Sequence, residues 1–144
     1  MSHVSALAVS AHCYCGAVGL HSESAPKSVV HCHCAQCRRL SGAAFTTWAS
    51  LPKPAVSLFG SEQLVTFNAT VHVTRHFCKV CGSHVFTTDK RYPQVLGVPA
   101  GVIEGQLSTA PEAHYFVNHK AAWHTILDGL PQFGGESGRE PTAV

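Results

Sequence analysis

The sequence is poor in charge. Only 12% of its 144 residues are Asp, Glu, Lys or Arg, and ten basic side chains stand against eight acidic ones. That balance offers none of the clustered positive surface by which domains hold a phosphate backbone. Long apolar runs are missing too, with no stretch approaching the ~20 residues that cross a bilayer. Neither a nucleic acid nor a membrane is therefore an expected partner. Residues 1–12 contain no Lys or Arg, and the apolar run from Ala6 to Val9 is far too short for the core of a secretory signal. The expected setting is the reducing cytoplasm. Internal repeats and low-complexity tracts are also absent. The expected organisation is an amino-terminal segment (1–9), a single folded domain (10–133) with an ordinary core, and a flexible Gly/Glu/Pro-rich tail (134–144).

Cysteine is what the chain has in excess. Its seven cysteines fall into short motifs: Cys13-Tyr14-Cys15-Gly16, then Cys32-His33-Cys34-Ala35-Gln36-Cys37, and much later Cys78-Lys79-Val80-Cys81-Gly82. An odd number and no export signal argue against a disulfide framework, and clustered cytosolic cysteines are more often metal-binding or redox-active. A C-x-C pair plus a distant C-x-x-C supplies four thiolates, enough to close a tetrahedral zinc site. The middle motif supplies three, with no cysteine left for a fourth. Structural zinc sites are closed by four protein ligands, whereas catalytic ones keep a position open. Four plus three points to one of each, and an ion held by three ligands is the more easily lost.

Alternate residues on a strand share a face, so each C-x-C can present two sulfurs to one side. Tetrahedral sulfurs bonded at ~2.3 Å stand ~3.8 Å apart, which requires a bend in an extended pair. Gly16 and Gly82 are placed for tight turns that aim N–H groups at the thiolates. On such a strand His31 and His33 point away from the cysteine face, which assigns them to packing or to supporting contacts rather than to the metal; His84 is read the same way. Arg38 and Arg39 could pair with a substrate carboxylate or simply lie in a solvated loop. Trp48 and Trp123 are assigned to the core, and Asp89 and Tyr92 to a turn before Pro93.

Short runs rich in Val, Phe, Thr and Trp, broken by Gly, Pro, Ser or Asn about every ten residues, predict an all-β domain. Strands are expected over 17–21, 29–34, 45–51, 56–59, 64–68, 71–77, 85–88, 94–98 and 114–117. Helix is expected only at 35–40 and 120–126.

The order C-x-C-G, C-x-C-x-x-C, F-C-x-x-C-G-S resembles the glutathione-dependent formaldehyde-activating enzyme family, which also includes centromere protein V. Phe59-Gly60 with Leu64 and Phe67 is similar to the family's glycine-bearing hairpin. Gly105-x-Leu107, Pro111-x-x-His114, Trp123 and Asp128-Gly129-Leu130-Pro131-x-Phe133 are similar to its carboxy-terminal signature. The resemblance spans residues 10–133. It implies an assembly of small antiparallel sheets pinned by a four-cysteine zinc site and related to methionine sulfoxide reductase B. It further implies that Cys13, Cys15, Cys78 and Cys81 hold a structural zinc, and that Cys32, Cys34 and Cys37 are catalytic and hold a second. The implied activity is that of a carbon–sulfur lyase acting on a small thiol adduct, as when glutathione and formaldehyde combine to S-hydroxymethylglutathione. The partner would be glutathione or a similar thiol. A non-enzymatic zinc-stabilised binding module, or a thiol redox sensor built on the middle triplet, would use the same residues differently.

Overall fold

The alternating apolar runs of the sequence become strands because each can bury one face and leave the other in water. A computed structural model describes residues 8–142. In chain order its strands are β1 (Val9–His12), β2 (Gly19–Ser22), β3 (Ser28–Cys32), β4 (Thr46–Pro52), β5 (Val56–Phe59), β6 (Leu64–Asn68), β7 (Val73–Cys78), β8 (His84–Asp89), β9 (Val95–Pro99), β10 (His114–Tyr115), β11 (Phe133–Gly134) and β12 (Glu140–Pro141). Among the described residues there is one α-helix, α1, which runs Ala35–Ser41. Over the described residues the protein is mostly β, with 40% strand against 14% helix, most of the latter in short 3-10 turns. Among the described residues no helix is long and apolar enough to cross a membrane.

The chain divides into two compact units, each assembled from separate stretches of sequence. The first contains residues 8–27 and 49–109. In it β2 pairs antiparallel with both β1 and β5, and β6, β7, β8 and β9 follow one another as an antiparallel meander. Its core takes the inward residues of several strands: Val9, Ala11, Leu20, Leu51, Val85, Leu96 and Val98. Cys13 and Cys78 are buried within that same cluster.

Gly60 shows how closely this unit is packed. Its φ is +70°, and a Cβ placed there would lie 1.8 Å from the carbonyl oxygen of Ala17. Both the left-handed backbone and the collision oppose any larger residue. Gly60→Ala is expected to cost about 2–5 kcal/mol in urea unfolding; an unchanged midpoint would contradict this close approach.

The second unit contains residues 28–48 and 110–142. Here β10 runs parallel to β3 and sets His114 beside His31 and Tyr115 beside Cys32. Its interior is small and polar, with Val29, Ala113 and Ala121 buried beside His33 and His114. Helix α1 starts at Cys34, whose side chain caps it by accepting the Cys37 N–H, and stops at Gly42 in the left-handed conformation.

Three expectations are corrected in this unit. Residues 120–126 form no helix: the turn bond from His124 N–H to the Ala121 carbonyl is not propagated, and the Lys120 ammonium satisfies the Ala121 and His124 carbonyls instead. Trp123, assigned to the core, is 74% exposed, and of the segment's apolar residues only Ala121 is buried. The stretch expected to be a loose tail instead pairs through β11 and β12, while residues 143–144, like residues 1–7 of the amino-terminal segment, lie outside the described residues. The Phe116 N–H donates to the Gly138 carbonyl at 3.0 Å. Phe116 itself has φ 58°, and its ring lies 2.3 Å from where a Cβ at Gly138 would be.

Candidate metal centres

The fold gathers all seven sulfurs into two groups. In the first unit, Cys13, Cys15, Cys78 and Cys81 place their sulfurs within 4.8 Å of one another. The Cys13–Cys15 and Cys15–Cys78 separations are 3.6 and 3.7 Å, against the ~3.8 Å edge of a tetrahedral zinc–thiolate site. Cys13 and Cys15 lie in the turn that follows β1, not on the strand itself. Cys78 ends β7, and a second turn returns the chain past Cys81 to β8. The glycines shape these turns without serving the sulfurs: the Gly16 and Gly82 N–H groups donate to the carbonyls of Cys13 and Cys78. The Cys13 sulfur instead accepts the Val18 N–H at 3.4 Å.

Ser83 links the two turns, because its hydroxyl accepts the Tyr14 N–H at 3.0 Å and lies 3.2 Å from the Cys81 sulfur. That hydroxyl, with the Ser83 and Cys15 N–H groups, draws the Cys81 thiol down to about 5. Cys15 moves the other way. The Ala17 N–H favours its thiolate, but desolvation and three neighbouring sulfurs outweigh it and push Cys15 up to about 12. Four thiols this close cannot all ionise unaided, and a coordinated divalent cation supplies the charge that lets them.

In the second unit, Cys32, Cys34 and Cys37 form a three-sulfur group. Cys32 ends β3 and Cys34 begins α1, so the bend that the C-x-C pair requires is the strand-to-helix junction. The Cys34 sulfur accepts the Cys37 N–H at 3.3 Å, and the Cys37 sulfur accepts the Trp48 indole N–H at 3.4 Å. Sharing with the Cys34 and Cys37 thiols, then burial, drives the Cys32 thiol far above its usual range. Among the described residues no fourth Cys, His or carboxylate joins this group. Both donor sets suit a soft or borderline ion, and either group could hold one.

The histidines beside these cysteines form a network of their own. His33 is fully buried, and its Nε2 lies 2.8 Å from Nδ1 of His114. The His114 Nε2–H donates to the Asp128 carboxylate at 2.9 Å, and that carboxylate also accepts the Leu130 N–H at 3.0 Å. The Leu130 bond first, and His114 second, hold Asp128 below the ordinary carboxylate range. Burial, then the neighbouring imidazole of His114, takes His33 down to about 4. His31 makes a separate contact, Nδ1 to the Thr47 hydroxyl at 2.8 Å. His84 stays out of the four-sulfur group, with Nε2 at 2.8 Å from the Thr87 hydroxyl. Arg38 spends its Nε–H on the His119 carbonyl, and Asp89 pairs with Arg91 at 2.8 Å in the turn that carries Tyr92. Sequence reasoning gave His31 and His33 packing or supporting roles and named His114 and Asp128 only within a signature. Two histidines two apart, a third in P-x-x-H and the D-G-L-P aspartate were the available signal.

The sequence pattern of the glutathione-dependent formaldehyde-activating enzymes matches residues 8–119, and the chain belongs to that family. A protein of Halomonas elongata, provisionally named a glutathione-dependent formaldehyde-activating enzyme, is 28% identical over 122 residues, covering 79% of this chain and 78% of its own. A crystal structure of a Rhodobacter sphaeroides protein is similar in fold, with a TM-score of 0.57 and 22% identity over 69% of this chain and 91% of that one.

Proposed function

We propose that this protein is a zinc-dependent, carbon–sulfur lyase-type enzyme that works on small thiol adducts, joining glutathione or a similar thiol to formaldehyde. The observation that carries the reading is the three-sulfur group formed by Cys32, Cys34 and Cys37 with no fourth protein donor among the described residues. Cys13, Cys15, Cys78 and Cys81 would hold a structural zinc, since four sulfurs close its coordination and two of the residues, Cys13 and Cys78, are buried. Cys32, Cys34 and Cys37 would hold the second ion, whose contribution is to favour the thiolate form of an incoming thiol.

The reaction forms one carbon–sulfur bond. The thiol sulfur adds to the carbonyl carbon, the carbonyl π pair moves to oxygen, and the thiol's proton ends on that oxygen. The chain supplies position: the α1 cap and the Trp48 indole fix the Cys34 and Cys37 sulfurs. Arg39, exposed on the same helix, and Arg38 provide cations for the carboxylates of a peptide-like thiol.

Cobalt substitution tests this directly, because cobalt–thiolate charge-transfer bands strengthen with each added sulfur. Glutathione is expected to raise those bands in the cobalt protein, and S-methylglutathione, which has no thiol to ionise, is not. Binding should tighten as pH rises, since the thiol loses its proton on coordination. Replacing Arg38 and Arg39 together should weaken glutathione more than a plain alkyl thiol. A protein carrying two metals that responds to no small thiol would overturn the enzyme reading in favour of a binding module.

A further inference from the structure

A third group of donors, free of sulfur, lies in the second unit. His31, His114 and Asp128 can each place a ligand atom within 4.8 Å of the others. We propose that these three residues form a separate two-histidine–one-carboxylate centre for a divalent transition-metal ion, with open positions facing a cleft. This inference is independent of the lyase reading, since it uses none of the seven cysteines.

Hydrogen bonding accounts for His114 and Asp128 but leaves His31 unexplained. The His31 ring lies 4.7 Å from that of His114, centroid to centroid, yet among the described residues its only hydrogen bond is the one from Nδ1 to Thr47. Its Nε2 is therefore the nitrogen left for a metal. Metal-bound histidines almost always spend their other ring nitrogen on an oriented partner, and both candidates do. Thr47 holds Nδ1 of His31, and His33 holds Nδ1 of His114 at 2.8 Å.

The carboxylate already stands at ligand distance. His114 Nε2 and Asp128 Oδ2 are 2.9 Å apart, close to the ~3 Å edge between two ligands ~2.1 Å from one ion at right angles. Binding would replace the proton now shared along that edge. His114 is buried while the Asp128 side chain is 44% exposed, so the aspartate can rotate to close the remaining gap. Two imidazoles and one carboxylate with vacant positions suit first-row ions such as iron(II), nickel, cobalt or zinc.

The site also has a way in. His114 and Asp128 line a cleft of about 370 Å³ together with Phe45, His124, Thr125, Ile126 and Leu127. Its walls are largely apolar, so the metal would be the main polar anchor there. A small ligand with an oxygen or nitrogen donor on an apolar body is the class this cleft fits.

The test starts from protein whose cysteine groups are filled with zinc, titrated with cobalt(II) and read by absorption and metal analysis. One further equivalent is expected, with weak d–d bands and no growth of thiolate charge transfer. Asp128→Asn, which keeps an acceptor for the His114 N–H, and His31→Gln should each weaken that equivalent about tenfold or more while leaving the zinc content unchanged. No metal beyond the cysteine-bound ions, or a third equivalent retained at full affinity by Asp128→Asn, would overturn the proposal.

Discussion

Cys13→Ser is expected to leave the chain unfolded or insoluble, and Cys81→Ser to do the same. Cys13 is fully buried, and Cys13 and Cys78 both belong to the hydrophobic cluster of the first unit. The four-sulfur group is therefore anchored in the packing through these two residues, with Cys15 exposed, at the point where the turn after β1 meets the end of β7. Metal binding to such a group is folding free energy, on the order of 10–16 kcal/mol in small zinc peptides. A domain of this size is stable by about 5–15 kcal/mol in total, so losing even half of that contribution removes most of the margin. Serine restores neither the thiolate nor the bond length. The measurements are soluble yield, thermal melting and metal content. A folded Cys81→Ser protein with an unchanged melting temperature and one metal fewer would refute a structural role.

Cys34→Ser should behave in the opposite way: a folded protein that has lost its second metal and its activity together. Cys34 is the N-cap of α1, and serine is among the best residues for that position because its hydroxyl accepts the same backbone N–H. The replacement thus removes a metal ligand while keeping the helix start. Cys37→Ser is expected to follow it at some cost in stability, since Cys37 is buried and its sulfur accepts the Trp48 indole N–H. Activity should fall by orders of magnitude in both, with the four-sulfur metal retained. Destabilisation of Cys34→Ser equal to that of Cys13→Ser would mean that the triplet is architectural, and the lyase reading would fail.

The cysteine groups were legible because ligand spacing is local: a C-x-C and a C-x-x-C each bring two sulfurs together whatever surrounds them. The strands were legible for the same reason, since alternation of burial is written into consecutive residues, as in β1, where Val9 and Ala11 are buried and Ser10 and His12 are exposed. What escaped was set by distant partners. Residues 120–126 have helix-forming composition, but Lys120 diverts its ammonium to their carbonyls and only Ala121 is buried, which is no amphipathic face. The His33–His114–Asp128 chain joins residues 81 and 14 positions apart, and no local pattern announces such a meeting. The carboxy-terminal stretch misled because glycine reads as looseness, whereas its glycines there make room for neighbouring side chains.

The contact of Phe116 with Gly138 makes those two positions a single heritable unit. A methyl group at 138 would occupy the space of the ring, so a lineage that keeps the aromatic residue must keep the glycine, however freely its neighbours drift. A smaller residue at 116 would remove the collision, but the φ of +75° at Gly138 would still favour glycine there. Retention of glycine at 138, in a region that composition alone would label unconstrained, is the evolutionary trace expected of this contact.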